Sequence, residues 1–174
     1  RKLTTKADDV IEVLCVATLE SQKNDLRLLR AFEQAALSPQ APRMRLTIVG
    51  SDRPYTNYAE EMRRLIKSGI EARVISEADE DALEQFYVAA DFVIYASCAE
   101  EFGLPIIESV WYGKPCSSHN EGALAQTAAE GGVLTVDMLD EAAIAAGILR
   151  LASDRSFRNQ LSREACARDL KSWS

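Results

Sequence analysis

The chain has 174 residues, 47% of them hydrophobic and 27% charged, with a formal net charge of -7. That length and balance describe one folded domain and exclude a disordered chain or a fibrous repeat, while the negative balance opposes sequence-independent binding to nucleic acid, which needs a local excess of Lys and Arg. The longest apolar runs, such as Phe92 to Ala96, fall far short of the roughly 20 residues of a membrane-spanning helix.

Short β-branched segments alternate with helical patterns almost throughout, the signature of βαβ units and a parallel sheet. The expected fold class is therefore α/β, a doubly wound parallel sheet of about six strands in a single domain over 1–174. Ile11 to Ala17 reads as the first strand. It is followed by a helix over Asn24 to Ala36, where Leu26, Leu29, Ala31, Phe32 and Ala35 recur at helical spacing and Asn24 is a candidate N-cap. Arg45 to Val49 is the second strand, Tyr58 to Ser68 a helix, Ala72 to Ile75 the third strand and Asp79 to Ala90 a helix. Phe92 to Ala96, Pro105 to Tyr112, Pro115 to Ser118, Gly122 to Glu130, Val133 to Val136 and Glu141 to Ser153 continue the alternation. Asp154 to Ser172 reads as a charged outer helix packing through Phe157, Leu161, Ala165 and Leu170. Several strands lack polar alternation, as strands buried on both faces do. No repeat or Pro/Gly-rich linker divides the chain.

Cys15, Cys98, Cys116 and Cys166 form no CxxC pair, which favours a reducing cytoplasm. His119 is the single histidine, so a zinc site is not expected. Arg1 stands where a start would have Met and no signal-peptide core follows it; the chain is expected to begin inside a longer protein.

Ligands of open parallel sheets bind beyond the carboxyl ends of the strands, so the loops there carry the chemistry. After the first strand comes Thr18-Leu19-Glu20-Ser21-Gln22-Lys23-Asn24, which places Lys23 at a helix start; its ammonium and the helix amides can share an anion, or it is a solvated surface lysine. No GxGxxG accompanies it, which weighs against a dinucleotide fingerprint. Gly50, closing the second strand before Ser51-Asp52-Arg53-Pro54, either admits a ligand close to the backbone or simply turns the chain. The loop after the fourth strand, from Ser97 to Pro105, is the most informative. Pro105 suits a first helical turn, Gly103 exposes backbone amides before it, and the whole is an anion-facing helix start. Glu108 follows one turn inside an otherwise apolar helix and needs a partner. It either makes a buried hydrogen bond to a neighbouring loop or accepts from vicinal hydroxyls such as those of a ribose. His119 is read as structural or solvated, Trp111 and Tyr112 as core, and the acidic run from Glu77 to Glu84 as solvated.

Glu100 and Glu108, separated by seven residues, enclose Phe102-Gly103-Leu104-Pro105 and are followed by Gly113-Lys114-Pro115. This pattern resembles the retaining GT-B glycosyltransferases, in particular glycosyltransferase family 4 (glycosyl transferases group 1). The likeness runs from the strand ending at Ala17 to Ser172-Trp173 and takes in Leu19-Glu20, Lys23-Asn24, Ala90-Asp91 and Val136-Asp137. It implies the C-terminal, donor-binding half of a GT-B fold, with a Rossmann-like sheet. Lys23 would contact the donor diphosphate, with Thr18 and Gly50 beside it. The backbone of Phe102, Gly103 and Leu104 would hold phosphate and sugar hydroxyls, and Glu108 the ribose. Val74 and Ile75 stand where the family grips the nucleobase through main-chain atoms. Glu100 would lie against the donor sugar as a positioning and electrostatic residue, so that Glu100 and Lys23 form the catalytic pair.

The resemblance further implies a GDP-, UDP- or dTDP-sugar donor, no cofactor and no obligatory metal. It implies as partner the N-terminal acceptor half of the same protein, and a cytoplasmic location, at the inner face of the membrane if that half associates peripherally with it. Transfer would serve cell-surface polysaccharide assembly, with mannose or rhamnose as donor sugars, and the fragment alone would be inactive. Two departures stand out. Thr18 occupies the place of an arginine common in the family, and Gln22 that of a basic residue before the lysine, which leaves Arg53 or a residue of the N-terminal half as a candidate replacement. Glu101 stands where glycine is usual, and the final helix of the family continues past the position of Trp173. A non-catalytic nucleotide-sugar-binding module is the alternative from another class, and a GT-B epimerase or phosphorylase a further one.

Overall fold

The computed structural model describes residues 10–53, 55–100 and 102–170. Six strands, β1 (Ile11–Val16), β2 (Met44–Val49), β3 (Ala72–Ile75), β4 (Phe92–Ile94), β5 (Cys116–His119) and β6 (Val133–Val136), form one parallel sheet in the order β3-β2-β1-β4-β5-β6. The helices are α1 (Asp25–Ala36), α2 (Tyr58–Leu65), α3 (Glu80–Ala89), α4 (Leu104–Trp111), α5 (Gly122–Ala128), α6 (Glu141–Ser153) and α7 (Arg155–Ala167), with a 3-10 turn at Ser21–Lys23. The α/β, doubly wound reading of the sequence holds. No helix among the described residues is long and apolar enough to cross a membrane.

Side-chain alternation along each strand divides the core in two. Val13 and Cys15 of β1, with Phe92 and Ile94 of β4, pack against Leu28 and Phe32 of α1, Met62 of α2 and Ile148 of α6. Leu14, Val93 and Tyr95 point the other way, to Tyr87 of α3, Ile106 of α4 and Leu124 of α5. Helices therefore cover both faces, as a parallel sheet requires. Phe32 and Leu28 are wholly buried, each contributing about 2 kcal/mol of transfer free energy.

Helix starts follow capping chemistry. Asp79 accepts from the amide of Ala82 at 2.8 Å, Asp140 from Ala142 at 2.9 Å and Asp154 from Phe157 at 2.8 Å, each cap worth about 1 kcal/mol. Asn24 departs from its expected role. Its backbone is left-handed, at φ 66° and ψ 18°, and its side chain makes no cap bond. The amide instead donates to the carbonyls of Met138 at 2.7 Å and Ala96 at 3.1 Å, tying three loops together.

Most element ends fall within a residue or two of expectation. Strand β4 stops at Ile94 instead of Ala96, and β5 runs on to His119, which pairs with Val136. Helix α2 ends at Leu65 because Ile66 is extended and Gly69 turns the chain at φ 90°. Helix α7 ends at Ala167, so Leu170, expected on its packing face, lies beyond the helix and is half-buried. The expected helix end at Ser172 and the following Trp173 lie outside the described residues, as do Arg1, Pro54 and Glu101. Trp111, expected in the core, is 72% exposed. The buried face of α4 runs through Ile106, Ser109 and Val110, and Trp111 falls on the outward flank.

Two sequence patterns have structural explanations. Lys114 of Gly113-Lys114-Pro115 donates to the carbonyls of Val88 and Ala90 at 2.9 and 2.8 Å, satisfying acceptors at the end of α3. Asp91 accepts from the Glu12 amide at 2.8 Å, while its own amide donates to the Glu12 carbonyl at 2.8 Å, which locks β4 beside β1.

Candidate functional site

The strand order reverses between β1 and β4: the chain proceeds to one edge through β2 and β3 and to the other through β5 and β6. Loops leaving β1 and β4 diverge there and open a crevice. The first loop is pinned along β2 by the amide of Ala17 on the Val49 carbonyl at 3.1 Å and that of Leu19 on Ser51 at 2.9 Å. Leu19 is fully buried, and the 3-10 turn that follows brings Lys23 back over the crevice. Gly50 is dictated by this approach: a Cβ there would lie 1.6 Å from the Ala17 carbonyl oxygen, a collision with backbone that cannot relax cheaply.

The β4 loop delivers Glu100. The Lys23 ammonium pairs with its Oε1, and the Ser97 hydroxyl donates to the same oxygen at 2.8 Å. Burial alone would push the Glu100 carboxyl up, but Lys23, Ser97 and the hydroxyl of Tyr95 together hold it below its ordinary value. The carboxylate is thus ionised at neutral pH. At the start of α4, Gly103 has φ 67°, and a Cβ would sit 2.7 Å from Cδ2 of Leu124. No side chain caps this helix, and Pro105 occupies its first turn. The positive end of α4 therefore faces the crevice. Phe102 and Leu104 flank it, both exposed.

Glu108 completes the set from one turn inside α4. Its Oε2 accepts from the Tyr87 hydroxyl at 2.6 Å. A cavity of about 570 Å³ joins these parts: Thr18, Lys23, Gly50, Glu100, Phe102, Gly103, Leu104 and Glu108 all line it. Val74 and Ile75 do not. The carbonyl of Val74 accepts from Arg63 Nε at 3.1 Å and that of Ile75 from the Gly50 amide at 3.0 Å, so both are engaged within the fold. Lys23 supplies the cationic side chain among the cavity's described lining residues. Arg53, the candidate second cation, is paired with Glu20 and does not line the cavity.

His119 is buried, and its Nδ1 accepts from the Met138 amide at 3.1 Å, a structural bond. Among the described residues no group of three or more His, Cys, Asp or Glu side chains is placed to hold a metal ion. Sequence reasoning passed over Tyr87 and Tyr95, both buried in the second core cluster. The one available signal was the demand of Glu108, a carboxylate in an apolar helix, for a donor.

A six-stranded parallel sheet with its crevice between an uncapped helix and a lysine-bearing loop defines a Rossmann-like domain. The glycosyl transferases group 1 family model matches residues 1–168, and the chain belongs to that family. It is 32% identical over 149 residues to the O-antigen chain mannosyltransferase B of Escherichia coli, a match covering 83% of this chain and 38% of that protein. Among solved structures, the sucrose-phosphate synthase from Thermosynechococcus elongatus superposes with a TM-score of 0.75 at 27% identity, covering 92% of this chain and 40% of that one. The C-terminal domain of a glycosyl transferase group 1 family protein from Francisella tularensis superposes with a TM-score of 0.73 over 90% of this chain and 81% of that domain; at 19% identity it shows the shared fold alone. The fold is thus that of a GT-B C-terminal domain. This chain spans 38% of the mannosyltransferase's length.

Proposed function

We propose that this chain is the donor-binding half of a retaining, family 4 GT-B glycosyltransferase, acting with an N-terminal acceptor half of the same protein. The observation that carries this reading is the convergence of Lys23, Glu100, Glu108 and the open start of α4 on one cavity. Glu108 accepts from the ribose. The diphosphate lies between the Lys23 ammonium and the α4 amides, an arrangement suited to a phosphate group. The sugar projects toward Glu100.

As the bond between the anomeric carbon and the diphosphate oxygen breaks, its electron pair goes to the diphosphate. Lys23 and the helix amides stabilise that growing charge, and the ionised Glu100 faces the positive charge that develops on the sugar. These groups offset part of the diphosphate charge, and no metal or cofactor takes part. The resemblance to an O-antigen chain mannosyltransferase favours a mannosyl donor and a hexosyl transfer to a growing glycan or lipid-linked acceptor in polysaccharide synthesis. A cytoplasmic enzyme, held at the inner face of the membrane through its N-terminal half, fits that setting. The chain by itself binds donor without transferring sugar.

Thermal shift with GDP-, UDP-, dTDP- and ADP-sugars tests the reading, because a ligand that binds only the native state stabilises it by mass action. At a hundredfold excess over its Kd, the preferred nucleotide should add about 2.7 kcal/mol, a rise in Tm of roughly 5–10 °C. No shift with any of them would sink the proposal.

A further inference from the structure

We infer that Tyr87 is a positioning residue for nucleotide binding: it immobilises Glu108 and so sets which carboxylate oxygen meets the ribose. This rests on the donor-site reading above. Tyr87 lies on α3, is 1% exposed, and donates to Glu108 Oε2 at 2.6 Å. Its ring stacks on Tyr112, at the end of α4, with centroids 4.9 Å apart and planes 11° from parallel. The ring alone would satisfy that packing, and a phenylalanine would fill the same space. The hydroxyl contributes only through its bond to the carboxylate.

Burial and the adjacent Glu108 push the Tyr87 hydroxyl far above the ordinary tyrosine range, so it keeps its proton and can only donate to that carboxylate. With Oε2 held from behind, Oε1 is the oxygen presented to the cavity. A glutamate with free rotation about its last two bonds would lose this alignment and would have to order itself on each binding event. The stack ties α3 to α4, so the clamp belongs to the rigid frame of the domain and not to a loop.

The test is calorimetric, with GDP and UDP and their 2′-deoxy counterparts as probes and the 174-residue chain as the protein. The wild type should prefer the ribonucleotide about tenfold, the discrimination expected of one charge-assisted hydrogen bond. In Tyr87→Phe, the ribonucleotide should bind about five- to tenfold more weakly while the deoxynucleotide is unchanged, so the preference collapses. Tyr112→Phe, which keeps the stacked ring, should preserve the wild-type ratio. A purely structural role for Tyr87 would weaken both nucleotides alike and leave the ratio intact. If Glu108→Gln abolishes the ribose preference while Tyr87→Phe retains it, the positioning role is overturned and the donor site stands. If the wild type binds no nucleotide, or Glu108→Gln keeps the preference, the underlying assignment of Glu108 falls and the positioning role with it.

Discussion

Replacing Lys23 by methionine keeps the length of the side chain and removes its charge. Two unit charges about 4 Å apart interact by about 4 kcal/mol at an effective dielectric of about 20, but desolvation reduces the net worth of a charge-assisted bond to about 1.5–3 kcal/mol. Two features of the site place Lys23 at the lower end. Its side chain is 22% exposed, and Glu100 already shares its ammonium, so a diphosphate gains only a partial counterion. A loss of about 1.5–2 kcal/mol corresponds to roughly 10- to 30-fold weaker binding. The assay is calorimetry at fixed low salt with a nucleoside and its mono- and diphosphates. Affinity for the diphosphate should drop by that factor, the monophosphate less, and the nucleoside not at all. If Lys23→Met weakens all three equally, the lysine supports the loop and does not grip phosphate.

Other perturbations test separate parts of the account. Thr18→Arg places a second cation in the cavity and should tighten diphosphate binding by roughly threefold to tenfold, with a steeper salt dependence; no change would show that Thr18 is remote from the phosphates. Gly50→Ala should destabilise the fold by about 3 kcal/mol or prevent it, because its methyl meets the Ala17 carbonyl, and wild-type stability in urea would refute the contact. Asp25 is fully buried at the start of α1, and burial pushes its pKa from 3.8 up to about 7 against the lowering effect of the Glu20 backbone. Its folded-state pKa lies above the unfolded value, so stability is greatest below about pH 4 with respect to this group and falls as pH rises through about 7. The total cost is about 4 kcal/mol at most. The advantage of Asp25→Asn over the wild type in chemical denaturation should therefore grow by about 2 kcal/mol between pH 5 and pH 7; a constant difference would contradict the raised pKa.

The strands were legible because short β-branched runs buried on both faces, such as Val13 to Val16 and Phe92 to Ile94, have few other ways to be satisfied. The loops carrying Lys23, Glu100 and Gly103 were legible for a related reason: a parallel sheet leaves its ligand end to them. Side-chain direction was not. Asn24 reads as an N-cap by type, but its left-handed backbone sends the amide to Met138 and Ala96, partners distant in sequence. Trp111 looks like core by composition, yet it lies off the buried face of α4 formed by Ile106, Ser109 and Val110. Tyr87 was hidden because a hydroxyl that serves a carboxylate on another element leaves no local pattern, and Tyr95 because its position at the end of an apolar strand reads as core. The engagement of the Val74 and Ile75 carbonyls by Arg63 and Gly50 is likewise a tertiary outcome.

The central claim is that nucleotide binds where the β1 and β4 loops diverge. The most direct measurement is an amide-resolved NMR titration of this chain with the nucleoside diphosphate that stabilises it best. The account predicts saturable shifts concentrated at Thr18 to Asn24, Gly50 to Ser51 and Phe102 to Glu108, with α6 and α7 unmoved. Shifts centred elsewhere, or none at saturating nucleotide, would contradict it.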